Sequence, residues 1–216
     1  MVDGVYALAG ALTGFAVGLT GVGGGALMMP ILLLLGVAPT TAIATDLWFA
    51  VLTKSVAAVI HNGSTQVDWG VVKRLWLGSL PMALLVVALV SFGVRVQKVD
   101  WLTEAVGVVV LVTALGMLLA PVLKLLARER RLDSPGRFKR LQPGLTVLAG
   151  LVLGLCVALT SVGAGALGSV ILLYLYPLRM TPHRLVATDI MHAIPLALVA
   201  GLGYLFAGMV DGWMLI

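Results

Sequence analysis

The sequence predicts an all-α integral membrane protein: an inverted-repeat transporter with Gly-rich broken or re-entrant helices and a second repeat cut short. Three observations carry that expectation. Apolar residues make up 61% of the 216 residues and charged residues only 11%, with a mean hydropathy of +1.12. A soluble domain is about half apolar and about a quarter charged, and a chain this small cannot bury such an excess in one core. Second, the apolar residues fall in uncharged runs as long as the roughly 20 residues that cross a bilayer. Third, the chain repeats itself in order about 140 positions apart. A soluble globular domain, a disordered chain and a disulfide-stapled module are excluded. The single Cys156 forms no intrachain disulfide.

No charged residue occurs over the 42 residues 4–45, so this run can cross the membrane and return. Its glycines divide it into segments 5–20 and 26–35. At about 1.5 Å per residue the second is about 15 Å long, half a bilayer. A long helix is expected next, from near Asp46 to Asn62, interrupted by Lys54. Two more are expected near 70–93 and 101–126, and further uncharged runs cover 141–178 and 190–210. None alternates apolar with polar residues as strands of a membrane barrel do. The N-terminus has no basic region, so the first run reads as a retained span.

The repeat is explicit. Thr20-Gly21-Val22-Gly23-Gly24-Gly25-Ala26-Leu27 recurs 140 positions on as Thr160-Ser161-Val162-Gly163-Ala164-Gly165-Ala166-Leu167. Ala44-Thr45-Asp46 recurs 143 positions on as Ala187-Thr188-Asp189, and Val67-Asp68 recurs at that offset as Val210-Asp211. The second copy thus gains three residues between its glycines and its Thr-Asp pair. Residues 1–127 are expected to form the first repeat, 128–141 a basic linker, and 142–216 an incomplete second repeat, since Ile216 corresponds to position 73 of the first copy.

Orientation follows from the basic residues. If each Gly-containing segment returns to its own side, three full spans follow per repeat and the second copy is inverted. With linker 128–141 cytoplasmic, 11 of the 14 basic residues lie inside, Arg95 and Lys98 outside, and Lys54 within the membrane. Treating each Gly-containing segment as one long span moves Arg179 and Arg184 outside, which the positive-inside rule disfavours. The N-terminus is then external. The net charge of +5 reads as this loop bias, and no nucleic-acid partner is expected.

The two glycine clusters suggest an anion site. The first turn of a helix leaves backbone N–H groups unpaired and carries partial positive charge, and glycine permits close approach. In inverted-repeat transporters such broken helices point at anionic substrate near the midplane. Candidate substrate-binding residues are Thr20, Gly21, Gly23, Gly24, Gly25, Lys54, Thr160, Ser161, Gly163 and Gly165. The competing reading is that the glycines only let helices pack closely. Lys54 is costly near a helix centre, and lies roughly 80° around its helix from Asp46. Asp46, Asp189 and His192 are candidates for coupling or gating, or for structural ion pairing. No His/Cys cluster has metal-ligand spacing, no cofactor is implied, and no catalytic constellation appears, so the chain is not expected to be an enzyme.

Several segments together resemble the sulfite exporter TauE/SafE family over essentially the whole chain. They are Gly18-Leu19-Thr20-Gly21-Val22-Gly23-Gly24-Gly25, Ala42-Ile43-Ala44-Thr45-Asp46-Leu47-Trp48, Thr53-Lys54, Val67-Asp68-Trp69 and Leu77-Gly78-Ser79-Leu80-Pro81. The resemblance implies an inner-membrane permease for small sulfur-containing anions such as sulfite, sulfoacetate or related organosulfonates. Motif positions match at Gly21, Gly23, Gly24, Gly25, Thr45, Asp46 and Lys54, and in the second copy at Ser161, Gly163, Gly165, Thr188 and Asp189. Ala164 replaces Gly24, and Ala197 stands opposite Lys54, so an asymmetric site is expected. The expected function is a secondary transporter working by alternating access; a passive anion channel and a non-transporting membrane scaffold are the rivals. Its expected partners are the anionic substrate, a proton or sodium ion, membrane lipids and, as an open question, further copies of the chain.

Overall fold

The computed structural model describes residues 2–20, 25–61, 67–91 and 135–208, with individual positions between 104 and 125. The described residues define α1 (Val2–Thr20), α2 (Gly25–Leu34), α3 (Pro39–His61), α4 (Trp69–Ser91), α5 (Pro135–Thr160), α6 (Ala166–Leu175) and α7 (Pro182–Phe206). The described positions between 104 and 125 are helical, and no strand occurs among the described residues. Helices α3, α4, α5 and α7 each carry an apolar stretch of 21 to 25 residues, long enough to cross a bilayer. Leu77, Leu84, Leu148, Val59 and Phe206 are exposed on them, as side chains facing lipid are. The chain is an all-α integral membrane protein.

Local chemistry sets the boundaries. Helix α2 ends at Gly36, whose φ of 80° lets the Gly36 amide reach Leu33 O and the Val37 amide reach Leu32 O, the pairing of a Schellman stop. Pro39 and Pro182 open α3 and α7, where the missing N–H is harmless. Thr181 caps α7 by accepting from the Arg184 amide at 3.3 Å. Asp68 caps α4 by accepting from the Val71 amide at 3.3 Å. The two long helices begin earlier than their Thr-Asp pairs suggest, so Asp46 and Asp189 lie about two turns inside α3 and α7 rather than at their ends. Helix α5 begins at Pro135, and so extends into the basic stretch.

Named contacts fix the helix directions. Leu75 of α4 lies against Gly150 of α5, and Ser79 against Gly154, so α4 and α5 run the same way. A Cβ at Gly78, Gly150 or Gly154 would collide with backbone of the facing helix. The Gly150-x-x-x-Gly154 spacing therefore works as a small-residue packing face. Ser79 meets His192 and Val87 meets Gly203, so α7 runs with α4. Lys54 of α3 meets Asp189 of α7, whereas Leu47 and Trp48 meet Gly201. These two helices therefore run in opposite directions.

Helix α6 turns back along α5. Gly163 at its start lies against Cys156 and Val157. At its far end Gln142 Nε2 donates to Leu175 O at 2.6 Å, and the Thr146 and Tyr176 hydroxyls bond at 2.7 Å. The chain thus returns towards the end where α5 began. Two apolar clusters fill the interior. One gathers Met29, Leu32, Ile43, Leu47, Val157 and Leu196. The other gathers Val71, Leu75, Leu153, Leu172 and Leu185.

Candidate functional site

Buried polar groups gather where α3, α7 and the α5–α6 hinge meet. Lys54 Nζ donates to Asp189 Oδ2 at 2.8 Å, with both side chains less than a tenth exposed. A Lys at this depth needs such a partner, because an unpaired buried charge is far costlier than a paired one. Gly168, in the first turn of α6, sits against Asp189 Oδ1 so closely that a Cβ would press on it. The tip of this half-length helix therefore lies beside the ion pair.

Asp46 is fully buried, and neither of its carboxylate oxygens has a hydrogen-bond partner. The buried Ser161 hydroxyl and the Lys54 ammonium both act on it. Eight residues separate Asp46 from Lys54 on α3, about 12 Å along the axis. Two polar levels are thus stacked on one helix. At the lower, Lys54 meets Asp189; at the upper, Asp46 meets the hinge.

The hinge has the backbone its glycines allow. Gly163 and Gly165 have φ of 125° and 117°, and Ser161, a residue with a Cβ, has φ of 57°. Ser161 is held by its amide donating to Val157 O at 2.8 Å, while the Gly168 amide donates back to Gly163 O at 3.0 Å. The Thr160 hydroxyl donates to Cys156 O at 2.7 Å and accepts from the Val162 amide at 3.2 Å. It is committed to closing α5. Gly25 opens α2. Gly21, Gly23 and Gly24 lie outside the described residues, as does the Thr20 side chain.

His192 is buried, and its Nε2 is 3.0 Å from Ser79 Oγ. The Trp76 indole donates to His192 O at 3.2 Å, so Trp76 braces α7 as well as standing edge-on to Trp69. His183 is exposed. A separate tie lies at the starts of α4 and α7. Buried Asp68 receives Arg179 Nη2 at 2.8 Å and Arg179 Nε at 2.6 Å, with Arg184 Nη2 at 3.4 Å. Its amide also donates to Thr188 Oγ1 at 3.1 Å.

Sequence reasoning assigns no role to Ser79, Gly168 or this tie, and reads Trp76 as an interfacial indole near a helix end. The signal for the tie was present: Arg179 lies in the longer link of the second copy, and Asp68 is one of its repeated residues. Gly168 carried none, since a small residue in an apolar helix has many ordinary uses, and Ser79 was marked only by its place in the family-like segment 77–81. No group of three or more His, Cys, Asp or Glu could hold a metal ion among the described residues.

Membrane-spanning helices, two ten-residue helices and a buried ion pair beside a half-helix tip define a polytopic membrane protein. The family model for the sulfite exporter TauE/SafE matches residues 6–216, and the chain belongs to that family. A Bacillus subtilis protein described as a probable membrane transporter protein, YjnA, is 34% identical over 207 residues, covering 94% of this chain and 80% of that protein. No solved structure matches the chain significantly.

Proposed function

We propose that the chain is a secondary carrier for a small sulfur-containing anion such as sulfite, sulfoacetate or a related organosulfonate. It lies in the cytoplasmic membrane, works by alternating access, and has its N-terminus external and linker 128–141 cytoplasmic. The observation that carries this reading is the buried Lys54–Asp189 pair beside the first turn of α6. A helix N-terminus offers amides and partial positive charge to an anion, and Lys54 supplies the full charge. The arriving anion competes with Asp189 for the ammonium, so binding and rearrangement of the pair are one event. The opposite directions of α3 and α7, which carry the repeated Thr-Asp pairs, support two inverted copies around one site.

The same binding role is assigned to Thr20 and to glycines 21, 23, 24 and 25 of the repeated segment in the first copy, while Ser161, Gly163 and Gly165 shape the site in the second, with Thr160 fixing the end of α5. Asp46, Asp189 and His192 take coupling or gating roles. Flux of labelled sulfite and sulfoacetate into proteoliposomes tests the reading. Wild type is expected to show saturable uptake stimulated by counterflow, and Lys54→Ala to lose at least tenfold, the scale of a single charge-assisted contact. Unchanged uptake in Lys54→Ala removes Lys54 from the site; unsaturable flux without counterflow makes the protein a channel.

A further inference from the structure

Asp46 has no counterion of its own. Its carboxylate is completely buried and unbonded, as is the Ser161 hydroxyl opposite. Few charged or titratable groups surround it. On its own helix Lys54 is bound to Asp189. On α7, Asp189 is taken by that pair and His192 Nε2 is engaged with Ser79. Helix α2, packed on α3, has no titratable residue. The hinge 161–165 has none either. With both carboxylates ionised, Lys54, Asp189 and Asp46 would together leave the region one negative charge in excess. A lone carboxylate is costly to bury, and an anion brought alongside would be repelled in this weakly screening interior.

We propose that Asp46 and Ser161 form the site of a co-transported monovalent cation, a proton or a sodium ion, whose binding is the precondition for anion binding at Lys54. The proposal rests on the anion-carrier reading above for its consequence, but the cation site stands on its own geometry. Asp46 belongs to the first copy and Ser161 to the hinge of the second. Ser161 holds a left-handed backbone, unusual for a residue with a Cβ, and its buried hydroxyl acts on Asp46. A cation bridging them senses how the two copies sit against one another. That is what coupling requires, because a ligand shifts a conformational equilibrium only through unequal affinity for the two states.

The thermal stability of purified protein tests this without any anion substrate. Wild type, Asp46→Asn and Ser161→Ala are compared in sodium against choline chloride at constant ionic strength, and across pH. Wild type is expected to gain roughly 5–10 °C in Tm at saturating cation, and Asp46→Asn to lose that gain. Asp46→Asn keeps the shape and removes a stranded charge, so it is expected to fold. A sodium-dependent gain that shrinks in Ser161→Ala assigns sodium; an acid-dependent gain that survives it assigns the proton. A wild type that responds to neither cation overturns the proposal, as does an Asp46→Asn protein with the full wild-type response. In proteoliposomes, a cation response without anion flux defeats the carrier reading alone. Anion flux indifferent to both gradients defeats the cation site alone.

Discussion

Removing the Lys54 ammonium strands the Asp189 carboxylate on α7, where side-chain exposure is 7%. Breaking a buried pair from one side typically costs about 3–5 kcal/mol. Lys54→Ala is therefore expected to lower the Tm sharply in detergent, and Lys54→Ala with Asp189→Ala to lose much less than the two single changes summed. Anion flux should stay lost in the double variant, because the substrate's charge partner is still missing. Recovery of flux together with stability would make Lys54 purely structural. Lys54 was legible in the sequence, as a charge inside an apolar helix always is. Its partner was legible only as a candidate: which of Asp46 and Asp189 it meets depends on how α3 crosses α7. The orphaned state of Asp46 was not legible, because the absence of a bond is a property of packing.

At the scale of elements, α5 carries its own control. Gly144 has open space where a Cβ would stand, whereas Gly154 lies against the Ser79 backbone of α4. Gly144→Ala is expected to be neutral or to stabilise by up to about 1 kcal/mol, the helix propensity difference. Gly154→Ala is expected to destabilise by about 1–3 kcal/mol through overpacking, since backbone cannot give way as a side-chain tip can. Thermal unfolding of the two variants in the same detergent checks the contrast, and equal Tm values would mean that α4 and α5 do not meet at Gly154. Element lengths were largely legible: glycine clusters and uncharged runs anticipated α1, α2 and the half-length α6. The expected start near Asp46 was too late. Pro39 and Pro182 begin their helices well before the repeated Thr-Asp pairs, and they too stand 143 positions apart, so the repeat itself carries the initiating proline.

At the scale of the whole molecule, the return of α6 along α5 decides how the second copy crosses the membrane. Lys139 near the start of α5, Leu178 after α6 and His183 at the start of α7 are all exposed. A ten-residue α6 spans only about 15 Å, too short to cross a hydrocarbon core of about 30 Å. Its far end is bonded back to Gln142 and Thr146 of α5. Trp69, at the start of α4 and exposed, belongs to the same end, since Asp68 holds Arg179 and Arg184. Single cysteines at 69, 139, 178 and 183, in a Cys156→Ser background, are therefore expected to react with a membrane-impermeant maleimide from one face only. A cysteine replacing Phe206, at the far end of α7, belongs to the other. With the basic linker inside, the first four label in intact cells only after permeabilisation. The sequence contained the premise of this experiment, because the basic residues at 139, 179 and 184 ask to share a side. It also favoured a return to the same side, but did not contain the bonds between α5 and α6 that hold the hairpin, which are long-range. Labelling of 139 and 178 from opposite faces would make 141–178 one continuous crossing and the copies parallel, and alternating access about an inverted pair would fall with it.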